Sequence, residues 1–416
     1  MISHVTRPFL ATMVALLPIG SAVAIEYHLG GQLYLEANHN SNLLLTQPGQ
    51  STAGQLGSAR LDLGAATENT SAALDMTLHA RSYGLDEYNS DDQTVNARYR
   101  HQRERSAYGV DLGIIRDSTL TSELLDSGRL GESTRREQYS ASPYMDYQLG
   151  ERDSLSARVS YIESKYDRGD YVDYQYWTSA LTWSHLLRER LNGFAQIIYS
   201  RYESDEIAAA LDQSYSTHSR EYGLLLGGEY QFSERLKLSA IAGQTRSRST
   251  PSISDPGNVC ESAAQFGLTP LFPLCTLEET TSRISTLDLS INWTTERNML
   301  SARATRRNQP SSSGYLQETD QLDLNWRYRL SPRGAISTAL TAGTTDVSGD
   351  YPVNRFDPSR DFGYGTLAYA HRLSERWTLQ CSYQYRMQKY DDQDLTKSHV
   401  GSLAIIWKPQ EKRWSR

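Results

Sequence analysis

The chain has 416 residues, 38% hydrophobic and 22% charged, with a formal net charge of −7. At a mean hydropathy of −0.58 it cannot be a bundle of membrane helices, since beyond residue 24 no stretch approaches the roughly 18 apolar residues that a spanning helix needs. So modest an acidic balance identifies no partner, and none is expected among nucleic acids.

Residues 1–24 have the pattern of a secretory signal peptide. Arg7 follows His4 in a weakly basic start, Phe9 to Ile19 is apolar, and Ala22-Val23-Ala24 is a small-residue cleavage site. The mature chain is expected to begin at Ile25. No Cys lies near that site, so lipid attachment is not expected.

From there the chain alternates polar and apolar residues with the period of a strand. Leu33, Leu35 and Ala37 interleave with Gln32, Tyr34, Glu36 and Asn38. Ala59, Leu61 and Leu63 interleave with Arg60 and Asp62, and their hairpin partners Leu74, Met76, Leu78 and Ala80 with Asp75, Thr77, His79 and Arg81. The same pattern returns at 287–293 and 322–329. Between the strands recurs a short turn: Arg103-Glu104-Arg105, Gly150-Glu151-Arg152-Asp153, Arg188-Glu189-Arg190, Ser233-Glu234-Arg235, Thr295-Glu296-Arg297 and Ser374-Glu375-Arg376, with looser forms at Glu68-Asn69-Thr70 and Ser331-Pro332-Arg333-Gly334. The opposite connections are longer and variable, near 41–54, 117–135, 204–217, 249–280 and 348–361.

Tight turns at one end and long loops at the other predict an all-β fold: one transmembrane, antiparallel, up-and-down β-barrel with short periplasmic turns and long extracellular loops. Counting between turns gives about eighteen strands, or sixteen or twenty if one hairpin is missed or spurious. The barrel is expected over 25–408, and 409–416 as a C-terminal extension; alternatively, Trp414 ends a final strand that runs further. Pro143 cannot donate to a ladder and predicts a bulge or local break. The 27 Tyr and 7 Trp against 7 Phe suit aromatic girdles at the membrane interfaces. The expected compartment is the outer membrane of a Gram-negative bacterium, with its lipid and lipopolysaccharide as surroundings. In that oxidising setting Cys260 and Cys275, within the longest loop, are expected to form a disulfide. Cys381 falls on a lipid-facing phase.

The polar phase of the strands is then the lumen. It places inward Arg60, Asp62, Asp75, His79, Arg81, Arg98, Arg100, Asp111, Arg158, Arg303, Asp323, Arg327, Arg329 and Arg386. Such residues brace a wide wall as pairs, or select solutes through a transverse field when unpaired. With 36 Arg against 6 Lys, the lining leans toward anionic or hydroxyl-rich solutes, because Arg holds oxyanions in a fixed fork. In the 117–135 loop, Ser118 is placed to cap a short helix carrying Leu120, Leu124 and Leu125 on one side. Ser118, Thr119 and Glu123 are candidates for a constriction should this loop fold inward, the alternative being a surface loop packed on its neighbours. No metal-ligand spacing, phosphate-cradling loop or nucleophile elbow is present, so neither enzymatic activity nor a cofactor or metal is expected.

Several segments resemble the β-barrel porin family found near exopolysaccharide and exosortase-type operons. They are Glu36-Ala37-Asn38-His39-Asn40-Ser41-Asn42, Asn89-Ser90-Asp91-Asp92-Gln93, Arg116-Asp117-Ser118-Thr119-Leu120-Thr121-Ser122-Glu123-Leu124, Arg135-Arg136-Glu137, Ser142-Pro143 and Val172-Asp173-Tyr174, together with the Glu-Arg turns. The resemblance spans most of the mature chain and implies a barrel serving polysaccharide export, with a periplasmic feeder as partner; it carries over no catalytic residue. The expected function is therefore a porin-like channel for hydrophilic solutes, specifically an exit pore for an exopolysaccharide. The alternative is a non-conducting barrel that anchors a surface or envelope partner. The sequence identifies no subunit interface.

Overall fold

The computed structural model describes residues 24–123, 133–167, 171–205, 207–208, 214–255, 257–268, 275, 279–347, 359–390 and 393–415. Except for Ala24, the expected leader lies outside them. Eighteen strands form the wall: β1 (Glu26–Asn40), β2 (Thr52–Ala66), β3 (Thr70–Tyr83), β4 (Ser90–Gln102), β5 (Ser106–Ser118), β6 (Arg135–Gln148), β7 (Asp153–Tyr166), β8 (Tyr174–Arg188), β9 (Leu191–Ser204), β10 (Ser214–Ser233), β11 (Leu236–Ser254), β12 (Thr280–Thr294), β13 (Asn298–Pro310), β14 (Leu316–Arg329), β15 (Gly334–Val347), β16 (Arg360–Arg372), β17 (Trp377–Tyr390) and β18 (Thr396–Trp407). Each pairs antiparallel with its successor. β18 returns to β1, with Leu33 opposite Trp407 and Asn40 opposite Val400, so the sheet closes and no edge is left unpaired.

Alternation explains the closure and the environment together. Along β10, Tyr222, Leu224 and Leu226 are 57%, 58% and 62% exposed, whereas Glu221 and Leu225 are 4% exposed. Leu35, Leu78, Ile197, Leu322 and Leu403 carry the same exposed apolar row around the wall. Water would make that belt unfavourable; acyl chains make it the stable arrangement. From Tyr222 to Phe232 the strand rises ten residues, which at about 3.3 Å each and a tilt of about 40° is roughly 25 Å, the height of an outer-membrane apolar band. Trp183, Phe232 and Trp377 mark the turn side of this belt, exposed on the outer face. The protein is an outer-membrane β-barrel of a Gram-negative bacterium.

The recurring turn has a structural reason. The residue before the Glu donates its backbone N–H to the carbonyl three residues on: Arg103 to Ser106, Gly150 to Asp153, Thr295 to Asn298, Ser374 to Trp377. Where that residue is Ser or Thr, its hydroxyl also accepts from the next amides, as Thr295 does from Asn298 (2.9 Å) and Ser331 from Gly334 (2.9 Å). The third residue then turns its carbonyl sideways to the adjoining strand end. Asn69, Arg105, Arg152, Arg190, Arg235, Arg297, Arg333 and Arg376 accept from Gln102, Gln148, Leu186, Gln231, Thr294, Arg329, Arg372 and Lys408. The turns thus stitch to one another around the periplasmic rim.

One boundary differs from the first expectation, and one expected interruption is found. Lys412–Ser415 pairs with the start of β1, Trp414 opposite Tyr27, and the two rings stack at 5.6 Å. The residues expected as an extension therefore prolong the wall after Pro409 interrupts it, as in the alternative that ends the last strand at Trp414. At Pro143 the pairing of β6 with β7 lapses between Ala141–Tyr161 and Tyr144–Arg158, yet resumes in the same register. Proline removes a donor there without adding a residue, so the ladder breaks without a bulge. Above the wall, Thr119–Ser122 forms the short helix α1 and Val259–Gln265 the helix α2. Cys260 and Cys275 are disulfide-bonded, and Cys381 is free and exposed.

Candidate functional site: the barrel lumen

The inner wall divides into two levels. Nearer the periplasm runs a ladder of exposed charges on β2 to β7. Arg60 holds Asp62 (2.6 Å) on its own strand and Asp75 (2.8 Å) on the next. Arg98 bonds Asp111 at 3.0 Å, and Arg158 approaches the other oxygen of Asp111 at 3.7 Å while lying over the Tyr144 ring. Arg60, Asp75, Arg98 and Asp111 border a recess of about 280 Å³, completed by Thr77, Asn96, Ser140 and Ser142. On the far wall Arg303 pairs with Asp288 at 3.0 Å, and Asp323 accepts from Gln321 and Thr341 (both 2.8 Å). The Arg60, Arg98 and Arg158 side chains keep more than half their surface exposed, so water or solute reaches them.

Register places the other expected lining residues on the same inner phase. Among the described residues Arg100 reaches only Gln102, at 3.5 Å. Arg327 and Arg329 make no ion pair among the described residues. Arg386 is held by Gln384 (2.8 Å) beside Tyr364. His79 faces Asp92 across the ladder with its Nδ1 buried and, among the described residues, without a hydrogen-bond partner. Arg81 turns upward to an ion pair with Asp92.

That pair opens the second level, a buried network at the extracellular mouth. Ser118 caps α1, its hydroxyl accepting from the Leu120 amide. Its own amide donates to Asp92 (3.1 Å), to which the Thr121 hydroxyl also donates. Thr119 bonds Thr134 through backbone and hydroxyl, which closes the loop's base. Arg136 grips Asp117 with both arms of its guanidinium (3.0 and 2.9 Å) and lies 3.9 Å from Glu123. Glu123, 2% exposed, accepts from the Tyr166 and Ser312 hydroxyls, each at 2.7 Å. Leu124 and Leu125 lie outside the described residues.

Ser312 belongs to the connection between β13 and β14, eight strands around the ring from β5. The tip of that hairpin therefore reaches across the mouth. It is fixed by the Ser312 carbonyl accepting from the Val172 amide (2.8 Å) and the Ser311 carbonyl from the Tyr202 hydroxyl (3.0 Å). Leu316 completes a dry cluster with Tyr174 and Tyr202, against Ile162, Tyr166 and Tyr176. By strand phase Leu316 belongs to the lipid face with Leu322 and Leu324. It is 1% exposed, as is Gln317 beside it, because both faces of the strand are enclosed where the hairpin bends inward. Further round, Asn308 donates to the buried Glu221 (2.9 Å). At the rim, Asp173 accepts the Tyr166 amide (2.7 Å), and burial pushes its carboxyl above the ordinary carboxylate range.

Two elements thus meet at the mouth, α1 with its flanks and the 311–316 hairpin tip. No local pattern announces the second. Ser311-Ser312-Ser313-Gly314 looks like any polar turn, and Arg136, Tyr166 and Tyr202 look like ordinary strand residues.

No protein-family model matches the chain, and no curated protein matches it. The solved structures it is similar to are outer-membrane barrels. OpdL of Pseudomonas aeruginosa is 11% identical over 94% of this chain and 99% of its own, with a TM-score of 0.40. OccAB4 of Acinetobacter baumannii is 8% identical over 96% and 100%, at 0.43. The copper transporter OprC is 10% identical over 95% and 69%, at 0.48. Identities this low describe an architecture and nothing finer.

Proposed function

We propose that the barrel is a porin-like channel for hydrophilic solutes, and that the solute is an exopolysaccharide leaving the cell. The observation that carries the channel reading is the ladder from Arg60 through Asp75, Arg98 and Asp111 to Arg158, exposed along one continuous inner wall. A sugar chain presents hydroxyls and carboxylates, which this alternation of guanidinium and carboxylate can hand along the wall without one deep binding site. Eighteen strands enclose enough width for an aqueous path rather than a lumen filled by wall side chains. The channel performs no bond chemistry in this reading, and a periplasmic export component delivers the chain to its inner rim.

The test is conductance of the purified protein in planar bilayers, with the reversal potential taken in a salt gradient. Stable steps with anion preference support the channel. Their absence from folded, heat-modifiable protein sinks it. One observation favours a second reading, that of a closed barrel anchoring a partner: the α1 and 311–316 elements meet through buried hydrogen bonds. Sugar passage is tested separately, by whether anionic oligosaccharides block the current from the periplasmic side.

A further inference from the structure

The outer face of β9 to β12 carries an arginine group that its neighbours do not neutralise. Register sets Arg220 directly opposite Arg201 on one side and Arg248 on the other. One step toward the membrane, Arg246 lies opposite Arg283. All five are exposed on the phase of Tyr222 and Leu224. Like charges directly opposite across a ladder repel, so the arrangement asks for an anion. Arg201 has Glu203, which His218 also approaches at 3.3 Å, and Arg248 has Glu279 at 2.5 Å. The guanidinium groups of Arg220, Arg246 and Arg283 make no ion pair or hydrogen bond among the described residues.

Elsewhere on the outer face the same side chain is matched. Arg306 sits between Asp320 and Glu318, Arg135 pairs with Asp91 and Arg116 with Glu137. Height supplies the other half of the argument. Tyr199 and Tyr222, rings 5.0 Å apart, end the apolar belt on the extracellular side. Arg220 is two residues above them, about 5 Å along the membrane normal. That is the level of the outer-leaflet headgroups, within reach of acyl chains lying against Leu224, Leu226 and Ile197.

We infer that this face is a binding site for the phosphorylated glycolipid of the outer leaflet, lipopolysaccharide. Arg220, Arg246 and Arg283 take the lipid A phosphates in bidentate fashion, and the apolar belt beneath seats the acyl chains. Occupancy relieves the repulsion between facing arginines and fixes the orientation of the barrel in its leaflet. The site lies outside the lumen and does not depend on what the channel conducts.

The test titrates the full-length barrel, purified in detergent, with bisphosphorylated lipid A and, in parallel, with lipid A stripped of both phosphates, and reads occupancy by native mass spectrometry. The folded protein is expected to prefer the phosphorylated lipid. The combined variant Arg220→Gln, Arg246→Gln, Arg283→Gln is expected to bind it at least about tenfold more weakly, while Arg306→Gln, from the matched cluster, binds as the parent does. Equal affinity for the two lipids, or an unchanged affinity in the folded combined variant, overturns the inference. So does inorganic phosphate binding as tightly as the lipid. If the combined variant does not fold, Arg220→Gln alone must show a measurable loss, and undiminished binding there is equally fatal.

Discussion

The lumen has a lower and an upper half built by the same alternation, and they behave differently. In the lower half the inward residues are wet: Arg60, Arg98 and Arg158 are paired yet open. Toward the extracellular mouth they are dry: Arg136 is 6% exposed, Tyr202 is fully buried, Thr217 and Ser219 are 1% exposed, and Glu221 hardly more. Nothing in the wall itself causes the difference. α1 and the hairpin tip at 311–316 close over the upper half and leave the lower one uncovered. Inward polarity therefore fixes which way a residue points, and a remote segment decides whether water reaches it.

The comparison breaks most readily at Arg136. Removing it takes the bidentate counter-charge from the buried Asp117, so Arg136→Ala should cost about 3–5 kcal/mol, read as a fall in the denaturant midpoint for loss of the heat-modifiable form. Leu316→Ala should come next, at about 2–5 kcal/mol, because it opens a cavity between the hairpin and the β7 to β9 wall. Both changes should also raise single-channel conductance by loosening the mouth. Shortening 311–315 should raise it without the stability cost of a buried charge, and an unchanged conductance would remove the hairpin as a constriction.

The wet half should respond in the opposite sense. Arg98→Ala breaks an exposed pair worth at most about 1 kcal/mol, so the denaturation midpoint should barely move. The reversal potential should shift away from anion preference, since a fixed positive charge has left the wall. A large midpoint shift with unaltered selectivity would show that the ladder only braces the barrel. The smallest effect expected is that of Asp173, whose burial raises its native pKa. The native state then binds its proton more tightly than the unfolded chain does. The stabilisation is complete below the ordinary carboxylate pKa and is lost as pH rises through the raised one. Asp173→Asn should remove this part of the midpoint's pH dependence.

Strand register was legible because period two repeats wherever lipid faces one side of the wall: β1 ends at Asn40, just before the expected 41–54 loop, and β17 begins directly after the Ser374-Glu375-Arg376 turn. β10 and β11 run four and six residues past expectation at their loop ends, to Ser214 and Ser254. There both phases are polar, with Ser214, Ser216 and Thr217 on one strand and Ser249, Thr250 and Ser252 on the other, so the apolar signal that marks a strand disappears although pairing continues. Ser118 as a helix cap was legible for a local reason, since its hydroxyl serves an amide two residues away. Its neighbour Glu123 was visible as a candidate, but its partners Tyr166 and Ser312 lie 43 and 189 residues distant.

The sequence by itself determined the barrel, its strand number, its two faces and the turn chemistry of its periplasmic rim. All of these follow from interactions between residues close in the chain, or from the single requirement that one side of every strand meet lipid. Only the tertiary structure decided that the β13–β14 tip crosses the mouth, that Leu316 is enclosed against its phase, and that arginines from neighbouring strands stand unmatched on the outer face. Those depend on which distant segments closure brings to the same height, and no local pattern encodes that height.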